Sequence, residues 1–259
     1  MKRLMTDGLA VLATAGLLLW GGSALASGGK THELEDHDWP HAGVFGTFDR
    51  AQLQRGWQVY SEVCAGCHAM EYLAFRNLTA IGFSEDEVME IAADYDVEDG
   101  PDEFGDMFDR SARPSDYFPS PFPNEQAARY SNNGALPPDL SLIIKAREHG
   151  LDYTYSLLTG YEDEPPHDFE LGDGMSYNPY FAGSQIAMPP PLFEEVVEYE
   201  DGTYASVDQM AEDVTVFLNW IAEPEMEMRK SVGLKVLIFL FAFSALFFAI
   251  KVKVWKKLH

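Results

Sequence analysis

Apolar residues recur every three or four positions in three segments of the chain, and this spacing predicts amphipathic helices. The first segment follows Asp49, a good N-cap residue, and runs into Cys64. The second follows Ser84, where the sequence Ser-Glu-Asp-Glu has the form of a capping box. The third follows Ser206 and ends before Pro224, which cannot continue a helix. These segments predict a mainly α fold.

The segments between these helices lack a regular period. Residues 113–138 are rich in proline and aromatic residues, which predicts an ordered but irregular chain. Residues 140–149 are predicted to form a short helix, and the acidic stretch 162–174 a loop. Residues 196–205 are predicted to form a small hairpin around an Asp-Gly pair. The fold is therefore expected to combine helices with long irregular loops and this hairpin.

Residues 1–26 have the features of a secretory signal peptide that is removed from the mature protein. Lys2 and Arg3 precede an apolar run at 9–20, and the segment ends in Ala-Leu-Ala, a cleavage site of small residues. A mitochondrial transit peptide would contain more arginine and serine, so a bacterial envelope is favoured. An N-terminal membrane anchor is the alternative, although the apolar run is short for a span.

A second apolar run lies near the C-terminus. Its core at 236–250 covers only about 22 Å, whereas 232–254 covers about 34 Å, enough for a hydrocarbon layer of about 30 Å. Residues 229–254 are therefore predicted to be a transmembrane helix, with a buried helix of a soluble domain as the alternative. Four lysines at 251 and beyond place the short tail 255–259 in the cytoplasm. Residues 27–228 are then expected on the periplasmic side of a bacterial inner membrane.

The charge is unevenly distributed along the chain. The net charge is −24, yet residues 27–228 contain 41 acidic and 9 basic residues, whereas residues 229–259 contain 7 basic residues and no acidic ones. The segment 85–109 holds 12 acidic residues and no lysine or arginine. A surface of this kind excludes nucleic acid as a partner and favours a basic protein. For any single acidic residue, however, a purely solvating role is the simpler interpretation.

The cysteines point to the chemistry of the protein. Cys64 and Cys67 are the two cysteines of the sequence, and His68 follows them directly. Cys-x-x-Cys-His is the attachment motif for c-type haem, in which two thiols form thioethers and the imidazole is directed at the iron. A structural zinc site would need about four ligands, and a redox dithiol would need a strand–turn–helix setting. A simple disulfide in an oxidising compartment is the remaining alternative.

A haem iron that transfers electrons needs a second axial ligand opposite His68, and methionine raises the reduction potential. Met188 is the first candidate, because the prolines that follow it stiffen the backbone. Met175 is the second candidate, and His149 or His167 stays open as well. Methionine ordinarily fills gaps in a core, so position alone does not decide among them.

Six further motifs share the pattern of one family. They are SDYFP at 115–119, NNGALPPDLS at 132–141, LLTGY at 157–161, NPYF at 178–181, MPP at 188–190 and EYEDGT at 198–203. With the cysteine motif and the C-terminal apolar run, they resemble cytochrome c1, the haem subunit of the quinol–cytochrome c reductase complex. The resemblance extends over most of 49–257. The Asn-Asn-Gly-Ala-Leu-Pro-Pro-Asp-Leu run is far more specific than Cys-x-x-Cys-His, which all c-type cytochromes share.

The resemblance implies a cytochrome c-like haem domain with one covalently bound haem c. It also implies which residues form the haem site. Thioethers would form at Cys64 and Cys67, and His68 and Met188 would ligate the iron. Positions that contact the haem pocket and its propionates in the family fall on Asn132, Arg147 and Tyr153, whose side chains offer a guanidinium fork and neutral donors. The alternative for Arg147 is a solvated charge at a helix end. Some bacterial relatives have an additional disulfide, for which this chain has no cysteine left, and the 162–174 loop cannot be matched.

The resemblance also implies a function and partners. The protein would take one electron from the Rieske iron–sulfur subunit and pass it to a soluble basic cytochrome c, with its C-terminal span beside cytochrome b. It would be the electron-transfer subunit of the reductase without substrate chemistry of its own. One alternative is a freestanding membrane-anchored monohaem carrier or the haem subunit of an oxidase. Another is an enzyme acting at an open haem, such as a peroxidase.

Overall fold

The computed structural model describes residues 32–34 and 36–256. The predicted signal peptide at 1–26 and the end of the predicted tail lie outside the described residues. Within these ranges the chain is mainly helical, as its periodicity predicts.

The described elements follow one another in a simple order. The α-helices are α1 Arg50–Val59, α2 Glu85–Ala93, α3 Glu125–Ser131, α4 Gly150–Thr159, α5 Val207–Ala222 and α6 Met226–Trp255. A π-helical turn at Tyr60–Cys64 extends α1, and a 3₁₀-helix at Phe75–Ile81 precedes α2. Two antiparallel pairs complete the fold: β1 Asp96–Asp99 with β2 Phe108–Ser111, and β3 Ser176–Tyr177 with β4 Gln185–Ile186.

The helix starts lie where the sequence predicts them, because local side chains satisfy the first backbone N–H groups. The Asp49 carboxylate accepts from the Ala51 N–H at 2.9 Å, and the Ser206 hydroxyl accepts from the Gln209 N–H at 3.1 Å. At α2 the capping box is complete. The Ser84 hydroxyl accepts from the N–H of Glu87, whose carboxylate accepts from the N–H of Ser84 at 2.7 Å.

The core forms where α1 crosses α5, although these helices lie about 150 positions apart in the sequence. The crossing is close because α1 has a glycine there. A Cβ added to Gly56 would lie 2.2 Å from the Asp213 carbonyl oxygen and 2.6 Å from the Phe217 Cβ. Leu53 of α1 and Met210 of α5 are fully buried in the same core. Helices α1 and α5, the first and last helices of the domain that contains the cysteine motif, therefore pack against each other in its core.

The predicted hairpin at 196–205 forms its turn but not its strands. The Gly202 N–H donates to the Tyr199 carbonyl at 3.0 Å, and Gly202 adopts a φ of 77°, which favours glycine. The Glu198 carbonyl, however, accepts from the Gln58 side chain of α1 at 2.8 Å rather than from a facing strand. This prediction was wrong about the ladder, because a helix side chain takes the hydrogen bond that a strand partner would make.

The predicted helix at 140–149 is wrong. The segment is a series of turns, and the helix begins only at Gly150. The chain folds back on itself at this point, since a Cβ on Gly150 would lie 1.8 Å from the Ile144 carbonyl oxygen. His149 adopts a left-handed φ of 49°, which a continuous helix cannot contain. Residues 162–174 form a loop as predicted, whereas the segment 113–138, otherwise irregular, contains α3.

The C-terminal apolar run forms one long helix, α6, of 30 residues or about 45 Å. It begins three residues before the predicted start at 229. Its side chains from Val232 onward are exposed, so it is not the buried helix of a soluble domain. Among the described residues it is the helix long and apolar enough to span a bilayer, and the chain has the features of a single-pass membrane protein.

Only three residues separate α5 from α6, and one of them, Glu223, binds two basic residues on different elements. The Glu223 carboxylate accepts from Lys145 Nζ at 2.8 Å and also pairs with Arg229 of α6. Hydrogen bonds from these two cations hold the pKa of Glu223 below its usual value. The two ion pairs of Glu223 therefore connect the turn segment 140–149 to the first turn of the membrane helix.

Candidate functional site

The cysteine motif lies on a widened helix end. At the π-helical turn the Ala65 N–H donates to the Tyr60 carbonyl, five residues back, at 2.8 Å. Single π-helical turns of this kind are frequent at functional sites. The N–H groups of Cys67 and His68 then both donate to the Cys64 carbonyl, at 3.1 and 2.9 Å. Both thiols and the imidazole therefore project from one compact turn.

Among the described residues, the surroundings of the two thiols do not resemble those of a redox or metal pair. Both cysteines are free; Cys64 is half-buried and Cys67 is exposed. Burial, and secondarily the neighbouring Cys67, raises the pKa of the Cys64 thiol to about 12, opposite to the lowered pKa that activates a redox thiolate. Within the described residues no group of three or more His, Cys, Asp or Glu side chains could hold a metal ion. The zinc, dithiol and disulfide alternatives therefore have no support here.

The His68 ring is oriented by a backbone carbonyl. Its Nδ1 lies 2.8 Å from the Pro138 carbonyl oxygen. Because that oxygen can only accept, Nδ1 carries the proton and Nε2 keeps its lone pair. Burial lowers the pKa of His68, against smaller opposing effects of this hydrogen bond and Asp139, so the imidazole is neutral. A neutral imidazole with a fixed tautomer is the form that ligates iron.

The Pro138 carbonyl is held in place by a set of contacts between residues 68–72 and 138–141. The Asp139 carboxylate accepts from the Glu71 N–H at 2.9 Å and from the Ser141 N–H at 2.8 Å. The Leu140 N–H donates to the Ala69 carbonyl at 2.9 Å. Sequence reasoning did not assign a role to Pro138 or Asp139, although both lie within the most specific motif. We call this set of contacts the histidine clamp.

Two tyrosines, buried Tyr60 and half-buried Tyr161, hold the backbone at the two predicted axial residues. The Tyr161 hydroxyl donates to the Met188 carbonyl at 3.2 Å, and the Tyr60 hydroxyl donates to the His68 carbonyl, also at 3.2 Å. Burial raises the pKa of both tyrosines, so both hydroxyls remain donors. Tyr153 lies close enough to Tyr161 that its charge would raise that pKa further. Neither Tyr60 nor Tyr161 was assigned this role from the sequence.

The three predicted pocket residues lie on different elements. Asn132 ends α3, and its amide Nδ2 donates to the Ala128 carbonyl at 2.8 Å. Tyr153 lies on α4 and is half-buried. Arg147 lies in the turn segment and is exposed; its one hydrogen bond is to the Ala146 carbonyl, at 3.2 Å, and it pairs with no carboxylate of the described residues. Among the described residues, no hydrogen bond or ion pair joins Asn132, Arg147 and Tyr153 to one another.

The other methionines and histidines of the domain differ in burial. Met70 and Met210 are fully buried in the core, where they serve as packing. Met175 is half-buried like Met188, and its N–H donates to the Gly172 carbonyl at 3.1 Å. His149 and His167 are both exposed. Burial thus favours Met188 and Met175 over the histidines but does not separate the two methionines.

The side chains of the cysteine motif, together with Arg147 of the turn segment, have the chemistry that a covalently attached haem needs. The thiols are unpaired, and the His68 Nε2 makes no hydrogen bond within the described residues. Arg147 offers a guanidinium without a protein carboxylate. These are the groups that thioethers, an iron ion and a propionate respectively would occupy.

The acidic segment 85–109 forms an exposed surface. Of its 12 acidic residues, 11 are exposed, and Asp99 is half-buried and paired with Arg110 at 2.5 Å. No other acidic residue of this segment forms an ion pair within the described ranges. We call these residues the acidic surface.

The sequence is similar to those of several known proteins. A family model described as the cytochrome C1 family matches residues 39–258. Cytochrome c1 of Rhodospirillum rubrum is 47% identical over 262 residues, covering 95% of this chain and 96% of the relative. The mitochondrial cytochrome c1 haem protein of Saccharomyces cerevisiae is 55% identical over 202 residues, 78% of this chain and 65% of that protein. A protein named cytochrome b/c1 of Bradyrhizobium diazoefficiens is 44% identical over 279 residues, covering all of this chain and 41% of the relative.

Proposed function

This chain belongs to the cytochrome c1 family, and we propose that it is the electron-transfer haem subunit of a quinol–cytochrome c reductase. It would accept one electron from the Rieske iron–sulfur subunit and deliver it to a soluble basic cytochrome c. The observation that carries the proposal is the hydrogen bond from His68 Nδ1 to the Pro138 carbonyl, 2.8 Å long, beside two unpaired thiols.

The proposed site holds one haem c. Cys64 and Cys67 would form the thioethers, and His68 and Met188 would be the axial ligands. When bound, haem supplies one-electron redox chemistry at its iron. Burial keeps the imidazole neutral, the Pro138 carbonyl orients it, and Tyr161 holds the backbone of Met188 at 3.2 Å. With His68 and Met188 both holding the iron, small molecules would be kept out, which disfavours a peroxidase.

Arg147, Asn132 and Tyr153 are proposed to hold the propionate side of the haem. Arg147 is the strongest of the three, because an exposed guanidinium without a protein carboxylate is suited to a bidentate contact with another carboxylate. Asn132 already donates to the Ala128 carbonyl, so its amide oxygen and second N–H remain for other contacts.

The acidic surface supports a basic partner. A net charge of −32 over residues 27–228 would attract a basic cytochrome c and raise the association rate by about 10–10³-fold at low salt. The name of the Bradyrhizobium relative joins cytochrome b with cytochrome c1, which supports cytochrome b as the neighbour of α6. The positive charges in the last turns of α6 and directly after it, together with the predicted signal peptide, support a periplasmic haem domain in a bacterial inner membrane.

A spectroscopic comparison of two methionine variants tests the site. We expect Met188→Ala to lose the methionine–iron charge-transfer band of the ferric protein while a pyridine haemochrome assay still detects covalent haem. Met175→Ala is the matched control, since both methionines are half-buried, and it should keep the band. If the band survives in Met188→Ala and disappears in Met175→Ala, the axial assignment is wrong.

Purification from membranes tests the assembly. Mild detergent extraction should copurify the chain with cytochrome b and a Rieske protein, and electron transfer to a basic cytochrome c should slow as the ionic strength rises. A chain recovered alone with bound haem would instead indicate the freestanding carrier. A rate that does not respond to salt would contradict the role of the acidic surface.

A further inference from the structure

A tight turn at 39–46 lies just before α1. The Ala42 N–H donates to the Trp39 carbonyl at 2.8 Å, and the Gly46 N–H donates to the Gly43 carbonyl at 2.9 Å. The chain folds back so closely that a Cβ on Gly46 would lie 2.5 Å from the carbonyl oxygens of Pro40 and His41. This conformation therefore requires glycine at position 46, and the turn has a defined shape.

The turn is fixed to the first turns of the membrane helix. Lys230 Nζ donates to the His41 carbonyl and, at 3.1 Å, to the Gly46 carbonyl. Directly after the turn, the Phe48 N–H donates to the Glu227 carboxylate at 2.7 Å, and the same carboxylate pairs with Arg50 at 2.6 Å. Both Glu227 and Lys230 belong to α6.

The position of Lys230 sets the height of the turn relative to the bilayer. The apolar run of α6 begins at Val232, only about 3 Å further along the helix axis. Lysines at the end of a span place their ammonium groups in the headgroup region. Because the Lys230 ammonium contacts the carbonyls of the turn, the turn lies at the level where α6 enters the membrane.

The turn exposes apolar side chains at this level. Val44 is 74% exposed and Phe45 is 78% exposed, whereas His41 and Phe48 of the same segment are buried, and their rings stack with centroids 4.9 Å apart. Residues 39–48 contain no acidic residue, although the surrounding domain is strongly acidic. The turn therefore lacks the negative charge that would repel anionic lipid headgroups.

We propose that Val44 and Phe45 insert into the headgroup region of the lipid bilayer and form a second membrane contact of the haem domain beside α6. Aromatic and aliphatic side chains gain free energy at this interface, and Phe45 occupies the depth at which aromatic residues anchor membrane proteins. The occupant is lipid, because the turn is continuous with the lipid-exposed side chains of α6. This inference rests on α6 spanning the membrane and does not depend on the haem ligands.

Spin labels on single cysteines test the contact in the haem-loaded full chain reconstituted into lipid nanodiscs. Labels are placed by Phe45→Cys, by Phe104→Cys as an equally exposed aromatic control, 82% exposed in the β1–β2 connection, and by Phe241→Cys within α6. Relaxation by oxygen, which concentrates in lipid, is compared with relaxation by a water-soluble nickel chelate. The oxygen-to-nickel ratio should be several-fold higher at 45 than at 104 and should approach that at 241.

Each other outcome has a defined meaning. A label at 45 that resembles the label at 104 overturns the lipid contact, and so does one shielded from both agents, which would indicate a protein partner. A water-exposed label at 241 would refute the span itself and the inference with it. In the label-45 protein, Lys230→Gln should shift the ratio towards the aqueous value. The unsubstituted chain should take up no label if Cys64 and Cys67 are thioethers, so failure of the haem proposal is detected separately.

Discussion

The hydrogen bond between Tyr161 and Met188 allows a quantitative test of the axial assignment. Tyr161→Phe removes the hydroxyl that donates to the Met188 carbonyl at 3.2 Å and leaves the ring in place. Burial raises the pKa of this hydroxyl, so it is a donor across the accessible pH range. The substitution should therefore loosen the backbone that presents the methionine sulfur, without removing the sulfur itself.

The expected size of the effect follows from the geometry. A neutral intramolecular hydrogen bond of ordinary length contributes about 0.5–1.5 kcal/mol net. If Met188 ligates the iron as proposed, added imidazole competes with it, and a loss of about 1 kcal/mol on the methionine side should strengthen imidazole binding about fivefold. The measurement is a spectral titration of the ferric protein with imidazole, following the methionine–iron charge-transfer band.

Tyr60→Phe is a matched control. It removes an equivalent tyrosine bond, also 3.2 Å long, to the His68 carbonyl. The proposed thioether at Cys67 keeps His68 in place without that bond, so imidazole binding should change less than twofold. If Tyr161→Phe binds imidazole like the unsubstituted protein, or if both variants change equally, Tyr161 does not position Met188.

Three further predictions concern stability and potential. Gly56→Ala should lower the free energy of unfolding by about 1–3 kcal/mol, because its Cβ would lie 2.2 Å from a backbone oxygen of α5, whereas Gly233→Ala, with open space around it, should not. The pKa of His41 is lowered to about 4 by burial and by Lys230, so the unfolded chain takes up a proton first as the pH falls. The contribution of His41 to the free energy of unfolding is therefore complete above about pH 6.5 and should fall by up to about 3 kcal/mol towards pH 4. In denaturant titrations, His41→Phe should reduce this loss. Asp139→Asn should raise the reduction potential in a redox titration, because a weakened histidine clamp makes the imidazole a poorer electron donor.

These predictions have clear controls and contrary outcomes. Equal melting temperatures for Gly56→Ala and Gly233→Ala would contradict the close crossing of α1 and α5. An unchanged pH dependence in His41→Phe would show that the acidic residues alone determine the loss. Asp102→Asn is the control for Asp139→Asn, since Asp102 also accepts two backbone N–H groups, at 2.8 and 3.0 Å, but in an exposed loop. Equal potentials in both variants would refute the clamp.

Features specified by neighbouring residues could be predicted from the sequence. The caps at Asp49, Ser84 and Ser206 each depend on atoms within three positions, and the structure confirms all three. The helix at 140–149 was wrong because its fate depends on packing at Gly150, where the Ile144 carbonyl leaves no space for continued helix. Helical spacing alone contains no information on such a contact.

The same distinction between features set by neighbouring residues and features set by distant ones holds at the candidate site. The thiols and His68 are contiguous, so their motif is visible in the sequence. The groups that orient them are distant: Pro138 lies 70 positions from His68, and Tyr161 lies 27 positions from Met188. A proline carbonyl or a tyrosine hydroxyl has no recognisable pattern until the fold brings it to its partner. The prediction of Met188, Asn132, Arg147 and Tyr153 as site residues therefore rested mainly on family resemblance.

The three-residue junction between α5 and α6 restricts how this protein can exchange electrons. Glu223 is bound on one side by Lys145 and on the other by Arg229, so the junction is not a flexible tether. A haem domain attached to the membrane helix in this way cannot rotate towards its proposed redox partners. Electron tunnelling becomes too slow over long gaps, so in the proposed function the partners would have to cover the distance. The electron donor would approach this stationary subunit, and the acceptor would diffuse to it.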